Sequence, residues 1–230
     1  MKISVVIPSW NEAAAIGAAV EGARSFADEV IVADAGSPDG TAGRAAAAGA
    51  IVVAAPKGRG HQLRAGAARA SGDVFLFLHA DVTLEAGARE AIQRSLLDPA
   101  CVGGNFRLRF EPTSFAARVF TVANDVRRRL LRIYYGDSAI FVRAATYHAL
   151  GGFRALPLFE DYDFVRRLKR AGPTAYVREV AAIASARRFV DAPIRTLFVW
   201  TALQVLFSLG APAERLARFY ADTRPRHGGA

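Results

Sequence analysis

The sequence predicts an α/β protein with a mostly parallel sheet flanked by helices, and three observations carry that expectation. Short β-rich runs alternate with Ala-rich stretches over roughly the first 80 residues, the pattern of βαβ units with right-handed crossovers. Each of those runs stops in polar or Gly-rich sequence. A chain of 230 residues that is 52% hydrophobic can bury a large core, and no Pro/Gly/Ser linker or repeat divides it.

In order, the strands are expected at ISVVI (3–7), EVIVA (29–33), AIVVAA (50–55) and VFLFL (74–78), with helices at about 12–26, 40–49 and 61–71 between them. A helix at 85–97 follows, then a longer strand VGGNFRLRF (102–110), an Arg-rich helix near 114–132 and a strand SAIFVR (138–143). A further helix begins near Glu160, and two more, near 192–209 and 213–221, close the chain. The expected organisation is one domain over 1–190 with 191–230 as its helical C-terminal extension.

Open α/β sheets bind ligands at the carboxyl ends of their strands. Those ends read PSWNE (8–12), DAGSPDGT (34–41), PKGRGHQ (56–62) and HAD (79–81). In the last, His79 and Asp81 are two residues apart and can face the same way on extended backbone. No GxGxxG follows the first strand, and KGRGHQ is not a Walker A loop, which argues against hydride transfer and P-loop chemistry. What is left is a strand-terminal aspartate able to hold a divalent cation through oxygen, the usual partner of substrate phosphates.

The single cysteine, Cys101, rules out an internal disulfide framework and a Cys-rich zinc site. The N-terminal MKISVVIPSWNE lacks the apolar core of a signal peptide, so a cytoplasmic setting is expected. The net charge of +9 suits nucleic acid, an anionic membrane surface or a phosphate-bearing ligand. The basic clusters lack both the aromatic interleaving of an RNA-recognition motif and a helix-turn-helix signature, so nucleic acid is not an expected partner.

Taken together, SVVIPSWNE, VIVADAGSPDGT, GDVFLFLHADV, YGDSAIFVR and LFEDYDFVRRL resemble family 2 glycosyltransferases of the GT-A fold, over about residues 2–190 and in the family's order. The variants GRGHQLRAGA, FLHAD, YGD and SARRF are further similar to a small soluble bacterial subgroup associated with arsenosugar biosynthesis. The resemblance implies a GT-A sheet and inverting transfer of a sugar from a nucleoside diphosphate sugar to an acceptor hydroxyl, assisted by Mg2+ or Mn2+. Pro8, Asn11, Glu12 and Asp34 would hold the nucleoside, although Ala35 stands where members often carry a second aspartate. HAD replaces the family's DxD, which leaves Asp81 as the carboxylate ligand and His79 to coordinate, bond phosphate or orient Asp81. Asp161, second in the Glu160–Asp161 pair, matches the base that takes the acceptor's proton, with Glu160 as its competitor or positioner. Lys57, Arg59 and Arg188 are candidates for the diphosphate, and Asp137 for the acceptor side.

Two other readings stand beside this one. A nucleotidyltransferase on a similar fold needs a Gly-rich loop after the first strand, and PSWNEAAA lacks it. A noncatalytic nucleotide- or membrane-binding protein is allowed by Ala35 and His79. The acceptor, a small molecule or a lipid-linked one, is not named by the sequence. Residues 194–210 are apolar but carry Arg195 and Gln204, too short and polar to span a bilayer. They are expected to pack on their own domain or on a second copy in a homodimer; the other reading is peripheral contact with the inner face of the membrane.

Overall fold

The computed structural model describes residues 1–112, 114–185 and 193–223. In chain order the elements are β1 (Ile3–Ser9), α1 (Ile16–Arg24), β2 (Glu29–Asp34), α2 (Thr41–Ala47), β3 (Ile51–Ala54), α3 (Arg59–Arg69), β4 (Val74–Phe77), β5 (Val82–Leu84) and α4 (Ala88–Ser95). Then come β6 (Gly103–Glu111), α5 (Phe115–Leu131), a one-turn 3-10 helix at Gly136–Ser138, β7 (Ile140–Arg143), α6 (Ala144–Ala149) and α7 (Glu160–Ala171). The last are β8 (Thr174–Ser185), α8 (Pro193–Ser208) and α9 (Ala213–Thr223).

The strands form one sheet in the order β3-β2-β1-β4-β7-β6-β8-β5. β1 pairs parallel with β2 on one side and β4 on the other, while β7 and β5 run against the rest. The chain therefore steps outward from β1 to β3, returns, and resumes on the opposite side at β4. This reversal opens a crevice between the carboxyl ends of β1 and β4, the place where such sheets take ligands.

Alternation sorts the strand side chains onto the two faces of the sheet. Ile3, Val5 and Ile7 of β1, with Val74 and Leu76 of β4, join α1 and α4 in one buried cluster. Val6, Phe75 and Phe77 face the other way, against α3, α6 and α7. There the ring of Phe164 lies 4.4 Å from that of Phe153, which meets Phe77 edge-on at 4.7 Å. These contacts seat α7 on the sheet. A third cluster joins Phe159 and Tyr162 to Leu203 and Leu216, with Trp200 and Phe207 packed against it.

The α/β expectation and its mostly parallel sheet hold, with differences that have local causes. Residues 12–15 form turns, so α1 starts at Ile16, and α3 starts at Arg59, two residues early. The expected strand 138–143 opens with the 3-10 turn and becomes extended only at Ile140. β5, α6 and the twelve-residue β8 were not expected. β8 reads TAYVREVAAIAS, in which alanines and an Arg-Glu pair hide the strand signal. Its extended form rests on parallel pairing with β6, interrupted by an irregularity at Phe106/Arg107.

The 194–210 stretch lies in α8 and the turn after it, and α8 packs on its own chain. The Phe159 ring stands 5.9 Å from Trp200 and 5.1 Å from Phe207, and the Tyr162 hydroxyl lies 3.1 Å from Ser208 Oγ. Among the described residues no helix is long and apolar enough to cross a membrane.

Candidate active site

The first wall of the crevice is the turn after β1. Asn11 adopts a φ of 56°, a left-handed conformation that asparagine accepts more readily than most residues. The loop after β2 clamps this turn. Ser37 Oγ accepts from Asn11 N at 3.0 Å, Thr41 Oγ1 from Glu12 N at 2.9 Å, and Asp39 Oδ2 from Ala13 N at 3.1 Å.

Asp34 ties the two loops together. Its Oδ1 accepts from Ser9 Oγ at 3.0 Å and Ser37 Oγ at 2.6 Å, and its Oδ2 from the backbone N of Gly36 at 2.9 Å and of Ser37 at 2.8 Å. A carboxylate has about four acceptor positions, and all are used within the protein. Burial pushes the Asp34 pKa up, but the bonds from Ser37, Ser9 and Gly36 outweigh it and leave a net lowering. Asp34 thus shapes the loops that would surround a nucleoside. Asn11 is exposed on that rim.

A cavity of about 130 Å³ opens between the strand ends, lined by Pro8, Ser9, Trp10, Glu12, Arg59, Gln62, His79, Ala80 and Asp81. Lys57 stands at its rim with Nζ 3.9 Å from the centre of the Trp10 ring, a cation–π contact. Gln62 is a site residue that sequence reasoning missed. It is buried, and its Nε2 donates to Ser9 O at 2.6 Å and Ala33 O at 3.2 Å, fixing α3 to the ends of β1 and β2. A polar residue on the buried face of an Ala-rich helix was the available signal.

α7 brings in the second half. Its first turn holds Glu160, Asp161 and Asp163, and its last turn Lys169 and Arg170, both ends complementing the helix dipole. Phe159, just before it, has a φ of 64°, an uncommon conformation for a bulky residue, and packs in the third cluster. Asp161 is buried. Its Oδ2 accepts from Gly136 N and its Oδ1 from Tyr162 N, each at 2.7 Å. Asp163 faces elsewhere, bonded to Arg154 NH1 at 3.2 Å and to Arg167 Nε at 2.8 Å.

Gly136 is where the two halves touch. A Cβ at this position would lie 2.7 Å from His79 Nε2 and 3.2 Å from Asp161 Oδ2, so both atoms converge on one bare backbone carbon. The YGD segment, expected at the acceptor side, therefore sits between the strand-four motif and the acidic pair. Asp137 borders a separate small cavity of about 10 Å³ with Arg127, Tyr134 and Tyr176.

Arg59 crosses the crevice to Glu160, with NH1 3.2 Å from Oε1. Burial works against its charge, but the carboxylates of Glu160, Asp161, Asp137 and Asp81 outweigh burial and raise its pKa. Burial pushes Glu160 up to about 7, with help from Asp161 and against the pull of Arg59. The structure thus brings together Pro8, Glu12, Arg59, His79, Asp81, Glu160 and Asp161, with Asp34, Asn11 and Lys57 around them; Arg188 lies outside the described residues.

Among the described residues no cluster of three or more His, Cys, Asp or Glu side chains forms a metal cage. Of the residues that line the cavity, Asp81 and His79 after β4 offer a carboxylate and an imidazole, with the Glu12 carboxylate on the β1 side, and such a set suits a cation that takes its remaining ligands from phosphate oxygens. Imidazole favours Mn2+ over Mg2+.

The model of the glycosyl transferase family 2 matches residues 4–155. A glucosyl-3-phosphoglycerate synthase of Mycolicibacterium smegmatis is 39% identical over an alignment of 93 residues that covers 35% of this chain and 31% of that protein. The match thus spans about a third of the length of that curated relative, 31%. Among solved structures, glucosyl-3-phosphoglycerate synthase from Mycobacterium tuberculosis, in complex with Mn2+, uridine-diphosphate-glucose and phosphoglyceric acid, superposes with a TM-score of 0.60 at 21% identity, covering 92% of this chain and 80% of that one. Mannosyl-3-phosphoglycerate synthase from Rubrobacter xylanophilus gives a TM-score of 0.55 at 16% identity, covering 92% and 76%. At these identities the structures share the fold.

Proposed function

The chain belongs to glycosyl transferase family 2, and on that premise we propose that it transfers a hexosyl group, with inversion, from a nucleoside diphosphate sugar to an acceptor hydroxyl. The observation that carries this reading is the convergence of His79 Nε2 and Asp161 Oδ2 on Gly136, beside the cavity lined by Asp81 and Arg59. A cation-ready strand end and a carboxylate base then meet at one place, as attack of a hydroxyl on a sugar carbon requires.

In this reading Pro8, Asn11 and Glu12 frame the nucleoside, with Asp34 holding the loop behind them. Asp81 and His79 would hold Mg2+ or Mn2+, which when bound neutralises charge on the departing diphosphate. Arg59, and Lys57 at the rim, offer cationic donors to the same diphosphate; Arg188 is a further candidate. Asp161 takes the acceptor's proton, and the bonds it accepts from Gly136 N and Tyr162 N hold its carboxylate in place. Glu160 positions the pair, and Asp137 lies on the acceptor side.

The donor base is proposed to be uracil and the acceptor a small anionic molecule. The support is the uridine-diphosphate-glucose and phosphoglyceric acid held by the structural neighbour, together with the net charge of +9. We also assign residues 191–230 to the same domain as a helical extension, supported by the packing of Trp200, Leu203 and Phe207 on Phe159 and Tyr162.

Calorimetric titration with uridine diphosphate, with Mn2+ and with chelator, tests the donor half. Binding is expected to need the cation in the wild type, and Asp81→Ala should abolish the gain in affinity that Mn2+ gives; equal wild-type affinity in both conditions overturns the assignment. Proton NMR of the glycosylated product reads the anomer. Retention of the donor's configuration would remove inversion and, with it, the role of Asp161 as base.

A further inference from the structure

We propose that the outward face of α5 is a docking surface for a bilayer that contains anionic lipid. Phe115, Val119, Val122, Val126 and Leu130 are 84%, 45%, 61%, 45% and 76% exposed. At about 100° per residue they fall within an arc of about 80°, in a stripe about 22 Å long. Apolar residues repeating at three and four positions ordinarily mark the side of a helix that faces a core. In α5 the core side is a different one. Ala117, Phe120 and Arg128 are buried, Arg128 Nε donates to Asn105 Oδ1 at 2.6 Å, and its NH2 donates to Ala175 O at 3.0 Å. Those bonds hold the helix on β6 and β8, so the stripe cannot turn inward.

Charge decides what covers it. Arg118 and Arg129 run along one edge of the stripe and Arg132 follows its end, all three exposed. Among the described residues no ion pair engages Arg118 or Arg132. The one acid in the sequence of α5, Asp125, accepts from the Tyr176 hydroxyl at 2.6 Å and pairs with Arg129 at 3.6 Å. A second copy of the chain, docked on the same face about a two-fold axis, would set arginines against arginines in a molecule of net charge +9. An anionic bilayer instead meets both features at once, with apolar side chains below the headgroups and guanidinium groups among the phosphates. α5 would lie flat in the interface.

The test is cosedimentation of the full chain with vesicles of phosphatidylcholine alone and of phosphatidylcholine mixed with phosphatidylglycerol. The wild type is expected to pellet with the mixed vesicles, less so as salt rises, and to stay behind with the neutral ones. Val122→Glu with Val126→Glu should lower the bound fraction by about tenfold, and Arg118→Gln with Arg129→Gln should flatten the salt dependence; all four positions being exposed, far-UV circular dichroism melts should match the wild type. No binding to mixed vesicles, or undiminished binding of the double Glu variant, overturns the proposal. So does loss of binding in Leu209→Glu, beyond α8, with none in the α5 variant. A dimer seen by light scattering and broken by the double Glu variant would assign the face to a second copy and overturn it as well.

Discussion

The guanidinium of Arg59 meets the carboxylate of Glu160 at 3.2 Å and joins the first turn of α3 to the first turn of α7. Glu160 is buried, whereas the Arg59 side chain keeps 42% of its exposure. The contact is an ion pair whose hydrogen-bond geometry at Oε1 is poor, because that oxygen has no well-directed donor. Replacing one partner leaves a buried carboxylate facing other carboxylates. Above about pH 7, where Glu160 carries its charge, Arg59→Gln should therefore destabilise the fold by about 1–3 kcal/mol. Adding Glu160→Gln should recover much of that loss, and a double-mutant cycle of urea unfolding midpoints reads the coupling. Simple additivity of the two substitutions would remove the ion pair as a structural tie.

The same burial makes stability depend on pH through Glu160. Its folded pKa, raised to about 7 from an ordinary value of 4.5, means that the folded state holds a proton which the unfolded chain releases. The stabilising contribution of this proton is complete below pH 4.5 and is lost as pH rises to about 7. Melting temperatures recorded across that window should fall less steeply with rising pH for Glu160→Gln than for the wild type. Parallel curves would place the charge of Glu160 in a solvated setting instead.

Asp161 and Glu160 are told apart by rate and affinity. Asp161→Asn keeps the side chain's size, and its one amide oxygen can accept from Gly136 N or from Tyr162 N but not from both; it cannot take a proton, so transfer should fall by about 10² to 10⁴ with donor affinity unchanged. Glu160→Gln should retain most of the transfer rate at saturating substrate. A single-turnover measurement on both variants checks the pair. Near wild-type transfer by Asp161→Asn, with loss in Glu160→Gln, would exchange their roles.

Gly136→Ala is expected to act on the site and spare the fold. The added methyl would meet His79 Nε2 at 2.7 Å and Asp161 Oδ2 at 3.2 Å, while Gly136 needs no left-handed backbone. The two side chains must move apart to admit it. Transfer should drop by about tenfold or more, as a misplacement of about 1 Å at a reacting group does, with the melting temperature nearly unchanged. Full activity in this variant would show that His79 and Asp161 need no common placement.

The sequence by itself determined the β1-to-β4 half of the molecule and the chemistry along its strand ends. The order of strands and helices put PSWNE and HAD at strand carboxyl ends, so His79 and Asp81 were legible as a candidate pair, and the family resemblance added Glu12; that β1 and β4 lie side by side is a property of the folded sheet. The acidic start of α7 was equally legible, because local helix electrostatics favour Glu160 and Asp161 there. Only the tertiary structure decided how those parts meet. β8 exists through pairing with β6 across more than half a hundred residues, which a run of alanines does not announce. Asp34, read as a nucleoside contact, spends its acceptors on Ser9, Ser37 and Gly36 because β1 and β2 align Ser9 with Asp34. The bridge from Arg59 to Glu160 spans 101 residues, and the convergence on Gly136 draws together three segments from positions 79 to 161. Local preferences act over a few residues; such meetings depend on the packing of α3 and α7 against the same face of the sheet, which the linear sequence does not display.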